Sequence, residues 1–124
     1  MATTPTISDA EWEVMRVVWE TSPITANEVV ARLASRRGWV PATVRTMLNR
    51  LVRKGAITFE REGKRYLYRP SVSQSQCVRF ESRSFLDRVF GGVAGSLLNH
   101  FVRHTKLSRR EIDELKRILD RMEQ

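Results

Sequence analysis

The chain has 124 residues, 41% of them apolar, and a formal net charge of +8 with a pI near 10.7. That length and apolar content fit one small domain, or one with an appendage, and exclude a disordered tail. The charge is uneven, with ten Arg/Lys against two Glu in residues 36–69 but two against five in residues 1–35, as expected of a surface that displaces counterions from phosphates.

Ser8-Asp9-Ala10-Glu11 is a capping box opening a helix that carries Trp12, Met15, Val18 and Trp19 to about Thr21. Thr25-Ala26-Asn27-Glu28 is a second box, opening a helix with Val29, Val30 and Leu33 that ends near Arg37-Gly38. A third helix starts at Pro41, whose fixed φ and missing N–H suit a first helical position, and ends at Gly55, which tolerates the left-handed conformation. On it Val44, Met47, Leu48 and Leu51 share one stripe, while Ala42, Thr46, Asn49 and Arg53 lie opposite, flanked by Thr43, Arg45 and Arg50. The outward set has the chemistry of groove reading: Arg forks onto guanine, Asn bridges adenine, and Thr offers a hydroxyl and a methyl. Lys54 closes this helix with a further cation. After Gly55 the period changes to two. Ile57 and Phe59 alternate with Thr58 and Glu60, Glu62-Gly63-Lys64 makes a turn, Arg65-Tyr66-Leu67-Tyr68-Arg69 returns, and Pro70 closes the hairpin. Three helices and a hairpin with a basic tip of Arg61, Lys64 and Arg65 form the plan of a winged helix-turn-helix, with the third helix in the major groove and the wing on phosphate or the adjacent minor groove. Residues 1–71 are the expected DNA-binding domain.

Residues 72–124 are expected to form a helical dimerisation domain, so the fold class is mainly α with a small β-hairpin wing. Ser73-Gln74-Ser75-Gln76 caps a helix to about Phe90, whose Cys77, Val78, Phe80, Phe85, Leu86, Val89 and Phe90 spread around much of its circumference. Gly91-Gly92 breaks the chain, and a short helix follows through Leu97, Leu98 and Phe101. Ser108-Arg109-Arg110-Glu111 caps a last helix with Ile112, Leu115, Leu119 and Met122 at 3-4-3 spacing and Ile118 beside them. That coiled-coil type of seam needs a partner: either the same chain folded back or a second copy. A homodimer would set two recognition helices about one helical turn, ~34–36 Å, apart on a pseudo-palindromic double-stranded operator.

Other chemistry is sparse. No nucleophile elbow, phosphate loop or paired-carboxylate constellation is present, so no enzyme, catalytic residue or cofactor is expected. His100 and His104 are four apart, but a metal site needs further ligands, and the reading is of solvated histidines with no metal. Cys77, the single cysteine, cannot form an internal disulfide and is expected to be a small buried side chain. No stretch approaches the ~20 apolar residues of a membrane-spanning helix, and Met1-Ala2-Thr3-Thr4-Pro5 lacks the regions of a signal peptide, so the expected location is the cytoplasm without membrane insertion. Two other functions fit the basic face: an interaction module that meets an acidic protein, and an architectural binder with little sequence preference.

Glu11-Trp12-Glu13-Val14-Met15 with Val18-Trp19, then Thr43-Val44-Arg45-Thr46, then Arg50-Leu51-Val52-Arg53-Lys54-Gly55, then Arg65-Tyr66-Leu67-Tyr68 resemble the penicillinase and methicillin-resistance repressors of the BlaI/MecI/CopY family. The resemblance runs on through Phe85, Gly91-Gly92 and Leu107-Ser108 to Leu119. It implies a dimeric repressor in which Thr43, Arg45 and Thr46 contact the operator, controlling β-lactamase or related cell-envelope stress genes. In members paired with a β-lactam receptor, a membrane-bound sensor metalloprotease leads to cleavage within the dimerisation domain, so a protease under such a sensor is an implied partner. Two positions depart from the pattern. Val40 stands where a polar cap often precedes the proline, and cannot cap. The scissile Asn-Phe pair aligns with His100-Phe101, with Asn99 one residue earlier, which leaves proteolytic induction near Asn99-His100-Phe101 open. Copper-responsive members carry a C-terminal cysteine cluster that this chain lacks.

Overall fold

The computed structural model describes residues 4–123, which divide into two compact units, one up to Ser82 and the other from Arg83. The first unit begins with α1 (Asp9–Glu20), β1 (Ile24–Thr25), α2 (Ala26–Arg37) and α3 (Pro41–Arg53). It continues through β2 (Ile57–Glu62) and β3 (Arg65–Pro70) into the start of α4 (Gln74–Phe90). Both expected capping boxes are formed: Ser8 Oγ accepts from Glu11 N–H at 3.2 Å while Glu11 Oε1 accepts from Ser8 N–H at 2.8 Å, and Thr25 and Glu28 repeat the exchange. Each such cap contributes about 1 kcal/mol and fixes where its helix starts.

Helices α1, α2 and α3 turn their apolar stripes inward, and Val14, Met15, Val17, Val18, Val29, Leu33, Val44, Leu48 and Leu51 make the centre of one core. Gly38 ends α2 at φ +68°, its N–H donating to Ala34 O at 3.0 Å, so the chain reverses sharply into the next helix. Half-buried Trp39 then packs against the core and fixes the approach to α3.

The hairpin turns at Gly63-Lys64, with Gly63 at φ +63° as the first central residue of a two-residue loop, and pairs Glu62 with Arg65, Phe59 with Tyr68 and Ile57 with Pro70. Ile57 and Tyr68 reach the core, whereas Phe59 remains exposed and meets Tyr66 edge-on at 4.8 Å. The sheet has a third strand that sequence periodicity does not suggest. Ile24 and Thr25 pair antiparallel with Tyr68 and Leu67, giving the order β1-β3-β2 and joining the hairpin to the segment between α1 and α2.

The expected boundary after residue 71 lies just before α4, but packing carries the first unit to Ser82. Val72 and Cys77 belong to its core, Trp19 Nε1 donates to Val72 O at 3.0 Å, and Gln76 Nε2 donates to Thr4 Oγ1 at 3.0 Å. Cys77 is 1% exposed, as its reading as a small buried side chain requires, and burial pushes its thiol above the ordinary range.

The second unit holds the end of α4, then α5 (Ala94–His104) and α6 (Arg109–Met122). Gly91 and Gly92, at φ +59° and +84°, end α4, and Gly92 N–H reaches back to Leu86 O at 3.1 Å as in a Schellman cap. Ser108 and Glu111 form the expected box at the start of α6. No described residue of α5 or α6 is buried. Among the described residues no helix is long and apolar enough to cross a membrane.

Candidate nucleic-acid interface

Pro41 opens α3 without a side-chain cap, and Val40 supplies only its carbonyl, which accepts from Thr43 N–H at 3.1 Å. Val44, Leu48 and Leu51 are buried and Met47 and Val52 half-buried, which fixes the rotation of the helix about its axis. Ala42, Arg45, Thr46, Asn49, Arg50 and Arg53 are consequently exposed on the opposite side, with Thr43 half-buried at the edge.

Two of these side chains are oriented by neighbours. Thr46 donates its hydroxyl to Ala42 O at 2.9 Å, which turns the hydroxyl back along its own helix and leaves oxygen lone pairs for an incoming donor. Arg45 donates to Asn27 Oδ1 at 3.4 Å, so the first turn of α2 restrains the guanidinium from outside the recognition helix. Sequence reasoning used Asn27 only as part of a cap. Its spacing of eighteen residues from Arg45 carries no helical signal, and only the packing of α2 against α3 brings them together.

On the wing, Lys64 is exposed at the turn, and Arg61 Nε donates to Gly63 O at 3.2 Å. Arg65 pairs with Glu62 across the hairpin end at 3.2 Å, both side chains more than half exposed. Such pairs are weak, so Arg65 remains available to a competing anion. Tyr68 lies below this surface, and burial, with Tyr66 adding to it, pushes its phenol above the ordinary range despite the opposing pull of Arg45.

Lys54, expected to join the basic face, is committed elsewhere. Its ammonium donates to Glu11 Oε1 at 2.5 Å and to Thr6 O at 2.8 Å, tying the end of α3 to the start of α1. Glu11 is 1% exposed. Burial pushes its carboxyl up, but the Lys54 and Ser8 hydrogen bonds together outweigh burial and hold it below the ordinary range. The physical reason for this pairing is that a buried carboxylate needs a counter-charge.

The apolar residues expected at a seam are open in the single chain. Val78, Phe85, Val89, Leu98, Phe101, Leu115, Ile118, Leu119 and Met122 are exposed, and Leu86, Phe90, Leu97 and Ile112 are half-buried. Asn99, His100 and Phe101 lie exposed on α5, where Asn99 Oδ1 accepts from Arg103 Nε at 2.8 Å.

A helix-turn-helix backed by a small sheet, with an exposed Arg, Thr and Asn face on its third helix and a basic wing, defines a winged-helix DNA-binding protein. Residues 7–121 match the penicillinase repressor family, and the chain belongs to that family of DNA-binding transcriptional repressors; it is not an enzyme. It is 42% identical to the penicillinase repressor of Bacillus licheniformis over 116 residues, 94% of this chain and 91% of that one. It is 36% identical to the methicillin resistance regulatory protein MecI of Mammaliicoccus sciuri over 115 residues, 93% and 94% of the two. Among solved structures, the DNA-binding domain of the repressor BlaI aligns at a TM-score of 0.55 with 45% identity, covering 60% of this chain and 92% of the domain. The monomeric form of B. licheniformis BlaI in complex with the blaP half-operator aligns at 0.53, again with 45% identity and covering 60% and 92%.

Proposed function

We propose that this protein is a homodimeric repressor that occupies an inverted-repeat operator, reading bases through Thr43, Arg45, Thr46 and Asn49. Ala42 sits against the groove wall, Arg50 and Arg53 neutralise phosphates along α3, and Arg61, Lys64 and Arg65 do so from the wing. The observation that carries this reading is the exposed polar face of α3, held in rotation by Val44, Leu48 and Leu51, in a chain whose similar BlaI relative has been solved on a half-operator. Arg45→Ala tests it. Alanine keeps the helix, so binding to the specific duplex should lose ~1–3 kcal/mol relative to a scrambled one. Equal weakening on both duplexes would make Arg45 a phosphate contact and remove the base-reading role. A protein that ignores operator scrambling altogether would be an architectural binder or an interaction module.

Residues 72–124 are proposed to carry the dimer, through the exposed apolar faces of α4, α5 and α6. Two copies couple two half-sites at high effective concentration, which a single copy cannot do. The regulated genes are proposed to be those of β-lactamase or related cell-envelope defence, by likeness to the named relatives. Release is proposed to follow proteolysis near Asn99-His100-Phe101, under the control of a membrane sensor. That segment is exposed, on a helix with no buried residue, and follows the Gly91-Gly92 break, so local opening there costs little. Mass spectrometry of the repressor before and after exposure of cells to a cell-wall antibiotic decides this. An intact chain in derepressed cells excludes it.

A further inference from the structure

We propose that His100 and His104 form a bidentate site for a divalent transition metal of the imidazole-preferring class: Zn²⁺, Ni²⁺ or Cu²⁺. The two residues are one turn apart on α5, with ring centroids 4.6 Å apart and ring planes inclined at 41°. Histidines four apart on one helical face are the arrangement by which a single helix supplies two nitrogens to one metal. Two nitrogens each ~2.0–2.1 Å from a tetrahedral metal lie about 3.3 Å apart. With the ring centroids 4.6 Å apart, rotation about χ2, a soft torsion for histidine, can turn one nitrogen of each ring toward a shared metal.

Three further features favour a cation there. Both histidines are exposed, and among the described residues neither ring makes a hydrogen bond or ion pair, so ligation competes only with the ring contacts of His100 with Phe90 at 6.1 Å and Phe101 at 6.2 Å. His104 is the last residue of α5, where the unpaired carbonyls and the negative end of the helix dipole attract positive charge. Arg103, the nearby cation in sequence, is hydrogen-bonded to Asn99 along the neighbouring row of the helix.

Among the described residues no group of three or more potential ligands is assembled, and the one thiol, Cys77, is buried. A metal bound to this chain therefore depends on both histidines, with water completing its coordination. The consequence is local. A helix of 11 residues with no buried side chain is marginal by itself, and a chelate across residues 100 and 104 ties its last turns together. This site stands apart from the DNA-binding reading, because it uses no residue of α3 or the wing.

Calorimetric titration of the full chain with Ni²⁺ or Zn²⁺ tests the site, with amide hydrogen exchange across residues 97–104 as a second readout. One metal per chain is expected, with no heat from Mg²⁺ at the same concentration because imidazole does not suit that ion. His100→Ala and His104→Ala should each weaken binding by about tenfold or more, since loss of even a supporting partner of a metal ligand costs about 10–100-fold. Metal should slow exchange in residues 97–104 of the parent chain and in neither variant. His100→Gln and His104→Gln keep a side chain at each position and should behave as the alanine variants do. Affinity within twofold of the parent in either pair of variants, or slowed exchange that persists in them, overturns the proposal.

Discussion

Replacing Lys54 by methionine separates two roles for its ammonium: holding a buried carboxylate or holding a phosphate. Breaking a fully buried ion pair by removing one partner costs about 3–5 kcal/mol, whereas an exposed pair is worth about 0–1. Glu11 is 1% exposed and one of its oxygens, Oε2, is buried with no partner, but the Lys54 side chain is 37% exposed, so water reaches the cationic side. The remaining Ser8 N–H bond at 2.8 Å also limits the damage. The expected loss for Lys54→Met therefore lies between the two limits, at about 2 kcal/mol. Urea unfolding followed by tryptophan fluorescence measures it in the right place, because Trp12, Trp19 and Trp39 all lie in the first unit. A small unit with a slope of about 1 kcal/mol per molar urea should shift its midpoint by roughly 2 M. Replacing both partners, as Glu11→Gln with Lys54→Met, should recover more than half of the loss, since no charge is then left buried. On DNA, Lys54→Met should leave the slope of log K against log salt unchanged, while Lys64→Ala should lower it by about 0.9. A Lys54→Met protein with the parent's urea midpoint and a slope lowered by about 0.9 would refute the assignment.

The Glu11 carboxyl is held below the ordinary range in the folded protein, so its contribution to stability is present above the unfolded carboxylate pKa, about 4.3, and is lost as pH falls through the lower folded value. Acid unfolding should therefore steepen below about pH 4.3 in the parent and be flatter in Glu11→Gln, as read from urea midpoints at each pH; identical profiles would exclude Glu11 as the source. Leu115→Asp with Leu119→Asp places two carboxylates on the exposed apolar face of α6, and sedimentation should show a monomer that binds the full operator much more weakly than the parent. A variant that stays dimeric would move the seam to α4 or α5.

Local rules account for most of the fold. The starts of α1, α2 and α6 are written in Ser8-Glu11, Thr25-Glu28 and Ser108-Glu111, because a capping box is a contact across three residues. Strand β1 was not legible, since two residues cannot display a period of two, and Thr25 carries a cap and a strand pairing at once. The extent of the first compact unit is not written in element type, for a related reason. Element type changes near residue 71, but Val72 and Cys77 are buried by contacts that composition does not encode. In the site, the stripe on α3 told which side chains face outward, while the Arg45–Asn27 and Lys54–Glu11 contacts span eighteen and 43 residues and arise only from packing.

Those long-range contacts also change what the charge run means. Of the ten cations in residues 36–69, Arg36 pairs with Glu20 at 2.8 Å, Arg37 with Glu13 at 2.7 Å, Lys54 with Glu11 and Arg65 with Glu62. Three of those four carboxylates come from the acidic first third of the chain, which folds back onto the basic segment and neutralises part of it. Arg45, Arg50, Arg53, Arg61, Lys64 and Arg69 remain exposed and outside any ion pair among the described residues. The salt dependence of half-site binding should follow these six and not the ten that the sequence counts. At about 0.9 per neutralised phosphate, the slope of log K against log salt should be no steeper than roughly −5. Opening Arg65 from its exposed pair would add about one more at most. Titration of a half-operator duplex at several salt concentrations measures the slope directly. A value near −9 would mean that Arg36, Arg37 and Lys54 leave their carboxylates for DNA, and the pairs seen here would then be absent from the bound state.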